Sequence, residues 1–148
     1  MLRCILLDDE LLALQYLKLL CEQMEGVEVV KAFNNSEKFI AEKDSLDFDV
    51  CITDIEMPVI NGLQIANLLS DKHIIFTTAY KDYAVEAFDL DAMDYITKPV
   101  QKDRLEKAFR KIDKRTKTGF GLYYRKFRKR KKRCQYQRHL FYYGFRNR

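Results

Sequence analysis

The segment Phe48–Pro58, FDVCITDIEMP, decides the fold. Five of its first six residues are apolar or β-branched, which predicts a buried strand over Phe48–Thr53. Asp54 follows that strand directly, and Pro58 with the Asn61–Gly62 pair marks a loop after it. A strand that ends in a carboxylate and leads into a loop is typical of a sheet edge where ligands bind.

The sequence on either side repeats this alternation of apolar runs and amphipathic stretches. Each further run is short and rich in Ile, Val, Leu or Phe, which predicts a buried strand. The four further predicted strands are Arg3–Leu7, Val27–Phe33, His73–Thr78 and Met93–Thr97. The predicted helices are Glu10–Met24, Ser36–Asp44, Leu63–Leu69, Tyr83–Phe88 and Lys102–Ile112. Five β-α alternations predict an α/β protein with a doubly wound, five-stranded parallel sheet and helices on both faces.

Length and composition indicate one globular domain and exclude several other classes. The chain has 148 residues, of which 47% are hydrophobic and 33% charged, values unlike those of collagenous or wholly disordered proteins. No apolar run reaches the roughly 18 residues that a membrane-spanning helix needs. No Cys-x-x-Cys spacing indicates a zinc site, and the four cysteines are expected to be reduced, so we expect a cytoplasmic protein.

The charge is divided unevenly along the chain. Residues 1–113 contain all 22 Asp and Glu residues but only 13 of the 27 Lys and Arg residues, which gives a net charge of −9. Residues 114–148 contain the other 14 basic residues and no acid, a net charge of +14, together with nine Phe and Tyr residues. The overall charge of +5 therefore combines an acidic domain with a basic, aromatic tail.

Polar side chains follow four of the five predicted strands. Asp8 and Asp9 follow the first, Asp54 the third, Thr78 ends the fourth and Lys98 follows the fifth. Because the carboxyl ends of parallel strands meet at one edge, we expect these side chains to lie together. Carboxylates that close repel one another unless a cation lies between them, and hard oxygen ligands suit Mg²⁺. A cation, an ammonium and a hydroxyl around one carboxylate suit a phosphoryl group, which predicts an aspartyl-phosphate site.

Four segments resemble the receiver domain of two-component response regulators. They are LLDDE (6–10), TDIEMP with NG (53–58 and 61–62), FTTAY (76–80) and DYITKP (94–99). Their order and spacing fit that family over most of residues 1–113, and residues 77–99 are similar to regulators with a LytTR-type DNA-binding domain. The resemblance implies a flavodoxin-like (βα)5 fold with strand order 2-1-3-4-5. It also implies a phosphoacceptor switch that is not an enzyme acting on a separate substrate.

The resemblance assigns roles to individual residues at the predicted edge. Asp54 would accept a phosphoryl group from a phosphohistidine on a sensor histidine kinase. Asp8 and Asp9 would hold Mg²⁺ together with the Asp54 carboxylate and the backbone carbonyl of Glu56. Lys98 would pair with the phosphoryl oxygens.

The resemblance also implies a switch that follows phosphorylation. Thr78 would move to bond the phosphoryl group, and Tyr95 would turn inward when it does. The Lys98–Pro99 bond would be cis, and Gly62 would allow the loop after Asp54 its tight path. The face around the fourth predicted helix, the fifth strand and the fifth helix would form a homodimer and control an output, transcription.

The resemblance predicts a receiver domain over residues 1–114 and a tail over 115–148. A LytTR-type regulator would continue into a DNA-binding domain of roughly 100 residues, and only 35 residues follow Asp113. Three interpretations of the tail stay open. It is a nucleic-acid-binding arm, a membrane-surface or targeting segment, or a remnant where the DNA-binding domain is missing or frameshifted. In each case we expect the tail to be disordered.

The acidic residues also allow two other interpretations. Asp8 and Asp9 alone also suit the start of a helix, where a carboxylate caps backbone N–H groups. A phosphatase of the haloacid dehalogenase type also forms a phosphoaspartate, but it needs Asp-x-Asp at the first strand, whereas these two acids are adjacent. Besides the phosphoacceptor switch, a second function stays open, in which the tail binds nucleic acid and the receiver-like domain is its scaffold.

Overall fold

The computed structural model describes residues 1–80, 87 and 90–117, with side chains up to residue 113. The predicted helix Tyr83–Phe88 lies outside the described residues except for Ala87, which is helical and buried. The basic tail from residue 118 onward also lies outside them. No helix among the described residues is long and apolar enough to cross a membrane.

The described part of the chain is built on five parallel strands in one sheet. They are β1 (Leu2–Leu7), β2 (Val27–Phe33), β3 (Val50–Asp54), β4 (His73–Thr78) and β5 (Asp94–Thr97). The strand order is β2-β1-β3-β4-β5, and every neighbouring pair is parallel. The predicted doubly wound, flavodoxin-like sheet with strand order 2-1-3-4-5 is therefore confirmed.

The helices follow the predicted order with shifted ends. They are α1 (Leu11–Glu22), α2 (Ser36–Glu42), α3 (Gly62–Leu68) and α4 (Lys102–Lys117), and a 3-10 turn over Lys43–Ser45 follows α2. The helix α1 ends two residues before its predicted end, and the chain turns at Gly26, whose φ of 76° favours glycine. The helix α4 continues five residues beyond Ile112 and so runs across the predicted boundary between residues 114 and 115. The division of the chain into a receiver domain and a tail at that boundary stays a prediction.

Apolar side chains cover both faces of the sheet. Successive residues of a strand point to opposite faces, so Cys4 and Leu6 of β1 belong to one apolar cluster and Ile5 and Leu7 to the other. Residues of α1 and α4 pack in the first cluster, and residues of α2 and α3 pack in the second. Burial on both faces explains why the strands read as apolar runs without alternation.

The buried faces of two helices test the sequence pattern. The predicted stripe Leu105, Ala108, Phe109 and Ile112 of α4 is buried, at most 5% exposed. On α1 the buried residues are Leu14, Leu17, Leu20 and Cys21, whereas Leu11 is 55% exposed. With 3.6 residues per turn, Leu11 lies well to one side of that buried stripe.

Candidate functional site

Three carboxylates converge where β1 and β3 end. Asp8 and Asp9 follow β1 directly, and Asp54 is the last residue of β3, the next strand in the sheet. One oxygen of each carboxylate lies within 4.8 Å of the others. Asp8 and Asp54 are only 1% and 4% exposed, whereas Asp9 is exposed. The parallel register thus brings together three acids that are separated by up to 46 positions in sequence.

Asp8 is held in place from two sides. Its Oδ1 accepts the N–H of Glu10 at 3.0 Å, and its Oδ2 accepts the Lys98 ammonium at 2.8 Å. The N-cap residue of α1 is Glu10, which makes no side-chain cap hydrogen bond. Neither Asp8 nor Asp9 is the N-cap residue or lies in the first turn of α1, so the interpretation of both as helix-start residues is wrong. Their carboxylates lie beside that of Asp54 instead.

Lys98, the residue after β5, places its ammonium against the acidic cluster. Its Nζ lies 2.8 Å from Asp8 Oδ2 and 3.3 Å from Asp54 Oδ2. Its backbone N–H donates to the Thr78 carbonyl at 2.7 Å, which fixes the end of β5 against β4. The predicted cis peptide bond between Lys98 and Pro99 is present. Burial opposes the charge on Lys98, but the bonds and charges of Asp8 and Asp54 raise the pKa of Lys98.

The electrostatics of the cluster favour a bound cation. Burial is the main cause that raises the pKa of Asp54 to about 6, while Lys98 lowers it and Asp8 and Asp9 raise it. Three carboxylates against one ammonium leave an excess of negative charge, which costs free energy in a buried place. Hard oxygen donors at this spacing suit Mg²⁺, so the residues present fit the predicted metal. Asp8, Asp9 and Asp54 are the side chains that could hold it.

The loop after β3 passes close to the Asp54 backbone. A Cβ atom at Gly62 would collide with the Asp54 carbonyl oxygen, and the Gly62 N–H donates to the Ile55 carbonyl at 2.8 Å. This agrees with the prediction that glycine allows the loop its tight path. Glu56, whose carbonyl is a predicted metal ligand, is an exposed residue of this loop. Val59 has a φ of 69°, unusual for a β-branched residue, in a turn closed by Ile60 N–H and Pro58 carbonyl.

A chain of hydrogen bonds links Thr78 to Tyr95. The fully buried Thr78 hydroxyl oxygen accepts the N–H of Tyr80 at 3.2 Å. The carbonyl of Tyr80 accepts the hydroxyl of Tyr95, which lies on β5. Thr78 still has its own hydroxyl proton to donate. The two predicted switch residues are therefore connected through the backbone of one residue, a contact that the sequence did not indicate.

A second charged cluster lies on β5 and α4, and the sequence reasoning missed it. Arg104 donates to both oxygens of Asp94 at 2.5 and 2.6 Å, and Lys111 donates to Asp94 Oδ2 at 3.0 Å. Burial opposes the charge of Asp94, but these bonds, with that of the Tyr95 N–H, lower the pKa of Asp94. The only sequence signal is that Arg104 and Lys111 lie seven residues apart, on one side of a predicted helix.

A cavity of about 400 Å³ lies between α1 and the segment that follows β5. Asp8, Lys98 and Thr77 line its polar side, and the opposite wall includes Tyr16 and Pro99. It adjoins the acidic cluster and shares Asp8 and Lys98 with it.

Comparisons with known proteins support the resemblance. The family model for the response regulator receiver domain matches residues 4–110. The transcriptional regulatory protein BtsR of Salmonella typhi is 36% identical over 115 residues, which cover 76% of this chain and 48% of BtsR. The sensory transduction protein LytT of Bacillus cereus is 36% identical over 118 residues, with 77% and 48% coverage. This chain thus spans about half the length of the curated relatives it matches.

A solved structure shares the fold described above. The response regulatory domain of protein mrkE from Klebsiella pneumoniae superposes with a TM-score of 0.70 at 33% sequence identity. The match covers 76% of this chain and 95% of the mrkE domain. The family match spans all five strands except the first residues of β1, and it includes the acidic cluster, Lys98 and Tyr95. The chain therefore belongs to the response regulator receiver family of two-component systems.

Proposed function

We propose that the chain is a phosphorylation-activated switch in which Asp54 is the phosphoacceptor. The observation that carries this proposal is the setting of Asp54: a carboxylate 4% exposed, with Lys98 Nζ at 3.3 Å and two further carboxylates within 4.8 Å. A carboxylate packed with other carboxylates and one ammonium is suited to take up an electrophile and a cation together. The donor is a phosphohistidine on a sensor histidine kinase, in the cytoplasm.

The phosphoryl transfer is a nucleophilic substitution at phosphorus. One Asp54 oxygen attacks the phosphoryl group, the P–O bond of an acyl phosphate forms, and the P–N bond to the donor histidine breaks. The imidazole nitrogen leaves with the electron pair and is protonated. Asp8, Asp9 and Asp54, with the Glu56 carbonyl, would hold Mg²⁺, which would neutralise charge on the phosphoryl oxygens. Lys98 is released from its ion pair with Asp54 and neutralises a phosphoryl oxygen.

The switch then follows from the hydrogen bonds between β4 and β5. When the Thr78 hydroxyl turns towards a phosphoryl oxygen, its acceptor contact with the Tyr80 N–H is lost. The Tyr80 carbonyl, which holds the Tyr95 hydroxyl, moves with the same peptide segment. A charge change of about −1.5 to −2 at Asp54 is thus passed to β5. The face around β5, α4 and the predicted helix Tyr83–Phe88 forms the homodimer that controls transcription.

The proposal is tested with a small-molecule phosphodonor, so that the kinase need not be known. The full chain is incubated with acetyl phosphate and Mg²⁺, and incorporation of one phosphoryl group is followed by intact mass. We expect one group per chain on the wild type, none on Asp54→Asn, and none when Mg²⁺ is chelated. Asp71→Asn, at an exposed acid outside the cluster, is the matched control and should behave as wild type. Incorporation into Asp54→Asn would overturn the proposal.

Nucleic-acid binding through the tail is the second candidate function. The observation that favours it is the net charge of +14 on residues 114–148 with nine interleaved aromatic residues. The two functions respond to different changes. Binding of a DNA duplex by the tail should weaken steeply with added salt and be the same for Asp54→Asn, whereas output of the switch should require Asp54 and Mg²⁺.

A further inference from the structure

The backbone of Tyr95 faces the free edge of the sheet. Among the described strands, β5 pairs with β4 and with no other. Along a parallel strand, the N–H and C=O groups of alternate residues point to the same side. The Lys98 N–H donates to the Thr78 carbonyl of β4, so the backbone groups of Ile96, two residues earlier, face β4 as well. The backbone groups of Tyr95 therefore point away from β4.

Two side chains of the same chain bond these outward groups. The Tyr95 N–H donates to Asp94 Oδ1 at 2.9 Å, and Arg104 Nη2 donates to the Tyr95 carbonyl at 3.3 Å. Arg104 also holds both oxygens of Asp94, whose side chain is only 7% exposed. The Asp94–Arg104 pair thus covers the open edge of β5 at Tyr95 and ties that edge to α4.

We propose that Asp94 and Arg104 are positioning residues for the switch, because they fix the backbone from which the Tyr95 hydroxyl reaches the Tyr80 carbonyl. The inference rests on the proposed function only in taking Tyr95 as the switch residue. Without the pair, the outward groups of Tyr95 would bond water, and the end of an edge strand of four residues would move more freely. The Tyr95 hydroxyl would then meet Tyr80 for a smaller fraction of the time.

Lys111 supplies a matched control for this proposal. It bonds Asp94 Oδ2 at 3.0 Å, and among the described residues it bonds neither backbone group of Tyr95. Its side chain is 45% exposed, close to the 37% of Arg104. Lys111→Met and Arg104→Met therefore each remove one cation from the same carboxylate, but only Arg104→Met removes a bond to Tyr95.

The test is amide hydrogen exchange of the full chain, measured by two-dimensional NMR without a phosphodonor. The ratio of the Tyr95 rate to the Ile96 rate is compared between variants, because the Ile96 N–H faces β4 and reports general loss of stability. We expect Asp94→Ala to raise this ratio about tenfold and Arg104→Met about threefold. Lys111→Met should leave it within about twofold of wild type.

An unchanged ratio in both Asp94→Ala and Arg104→Met, or an equal rise in Lys111→Met, would overturn the positioning role. If either of the first two variants does not fold, Asp94→Asn and Arg104→Gln weaken the same bonds and keep most of each side chain. For them we expect about a threefold rise in the ratio, and no rise overturns the proposal.

A second measurement separates this proposal from the proposed function. Beryllofluoride with Mg²⁺, a mimic of the phosphoryl group, is added and the Tyr95 amide signal is followed. If the wild-type signal does not move, Tyr95 is not the switch residue. The exchange ratio still shows whether Asp94 and Arg104 hold the backbone of Tyr95. If the wild-type signal moves and Arg104→Met responds with the same shift and the same saturation, the positioning role is overturned. We expect Arg104→Met to reach less than about half of the wild-type shift.

Discussion

Two partly buried charge clusters of the receiver domain have opposite balances of charge. In the edge cluster (Asp8, Asp9, Asp54 and Lys98), three carboxylates meet one ammonium. In the strand cluster (Asp94, Arg104 and Lys111), one carboxylate meets two cations. Lys98 of the edge cluster follows β5 directly, and only four positions in the sequence separate it from Asp94 of the strand cluster.

The pKa values of the two central carboxylates follow this balance. Burial raises the pKa of both, but in the edge cluster the single ammonium does not offset it, and the pKa of Asp54 is about 6. In the strand cluster the bonds from Arg104 and Lys111 outweigh burial and lower the pKa of Asp94. The edge cluster therefore carries an excess of negative charge that suits a further cation, whereas in the strand cluster the two cations offset the one carboxylate.

Removing one cation from each cluster should affect phosphoryl transfer very differently. Lys98→Met should lower the rate of phosphoryl incorporation from acetyl phosphate about 100-fold, because a preorganised charge at the transferred group is lost. Arg104→Met should change this rate less than about twofold, since Arg104 does not touch the acceptor. The rates are measured by intact mass at fixed Mg²⁺. An equal loss of the incorporation rate in Lys98→Met and Arg104→Met would mean that the two clusters do not differ in their role in phosphoryl transfer.

Neutralising the central carboxylate should change stability in opposite directions. Asp54→Asn removes a buried charge that Asp8 repels, so the free energy of unfolding in chelator should rise by about 1–3 kcal/mol. Asp94→Asn removes a carboxylate that two cations satisfy, so the free energy of unfolding should fall by about 1–2 kcal/mol. Urea unfolding of both variants and wild type at pH 7 measures the difference. A fall in Asp54→Asn would contradict the account.

Added Mg²⁺ should stabilise the protein through the edge cluster alone. At ten times its dissociation constant a cation that binds only the folded state adds about 1.4 kcal/mol to the free energy of unfolding. We expect that gain for the wild type and for Asp94→Asn, and a loss of most of it in the double variant Asp8→Asn with Asp9→Asn. Thermal unfolding with and without Mg²⁺ checks this, with Ca²⁺ as a probe of selectivity. An undiminished gain in the double variant would place the cation elsewhere.

The strand cluster should contribute stability in a pH-dependent way. The pKa of Asp94 is lowered below its ordinary value of 3.8, so its contribution is complete above that value and is lost as pH falls through the folded-state pKa. The gap of about 1–2 kcal/mol between wild type and Asp94→Asn should therefore be constant from pH 7 to about 5 and shrink below about 3.8. Urea unfolding at several pH values measures the gap. If the difference in unfolding free energy between wild type and Asp94→Asn widens as pH falls, the lowered pKa of Asp94 is contradicted.

The sequence predicted the edge cluster better than the strand cluster, for a physical reason. The strands β1 and β5 end at their predicted residues and β3 ends one residue later, and residues that end parallel strands meet at one edge. Asp8, Asp54 and Lys98 could therefore be placed together from the ends of the apolar runs. Asp94 and Arg104 meet because of how α4 packs beside β5, and no period in the sequence encodes that rotation.

The sequence did not predict the hydrogen bonds between Thr78, Tyr80 and Tyr95, because they depend on backbone geometry that no sequence pattern encodes. They run through the N–H and C=O groups of Tyr80, which every residue except proline carries. The family resemblance indicated Thr78 and Tyr95 as switch residues but not the backbone that joins them.

We propose that Asp54 is the phosphoacceptor because it lies in the edge cluster, where carboxylates outnumber the ammonium. The most direct measurement is reduction of the phosphorylated full chain with borohydride, which converts an aspartyl-phosphate to homoserine, followed by peptide mapping by mass. The account predicts homoserine at position 54 and none at positions 8, 9 or 94, in amounts that depend on Mg²⁺. Homoserine at another aspartate, or a phosphorylated chain with no homoserine, would contradict it.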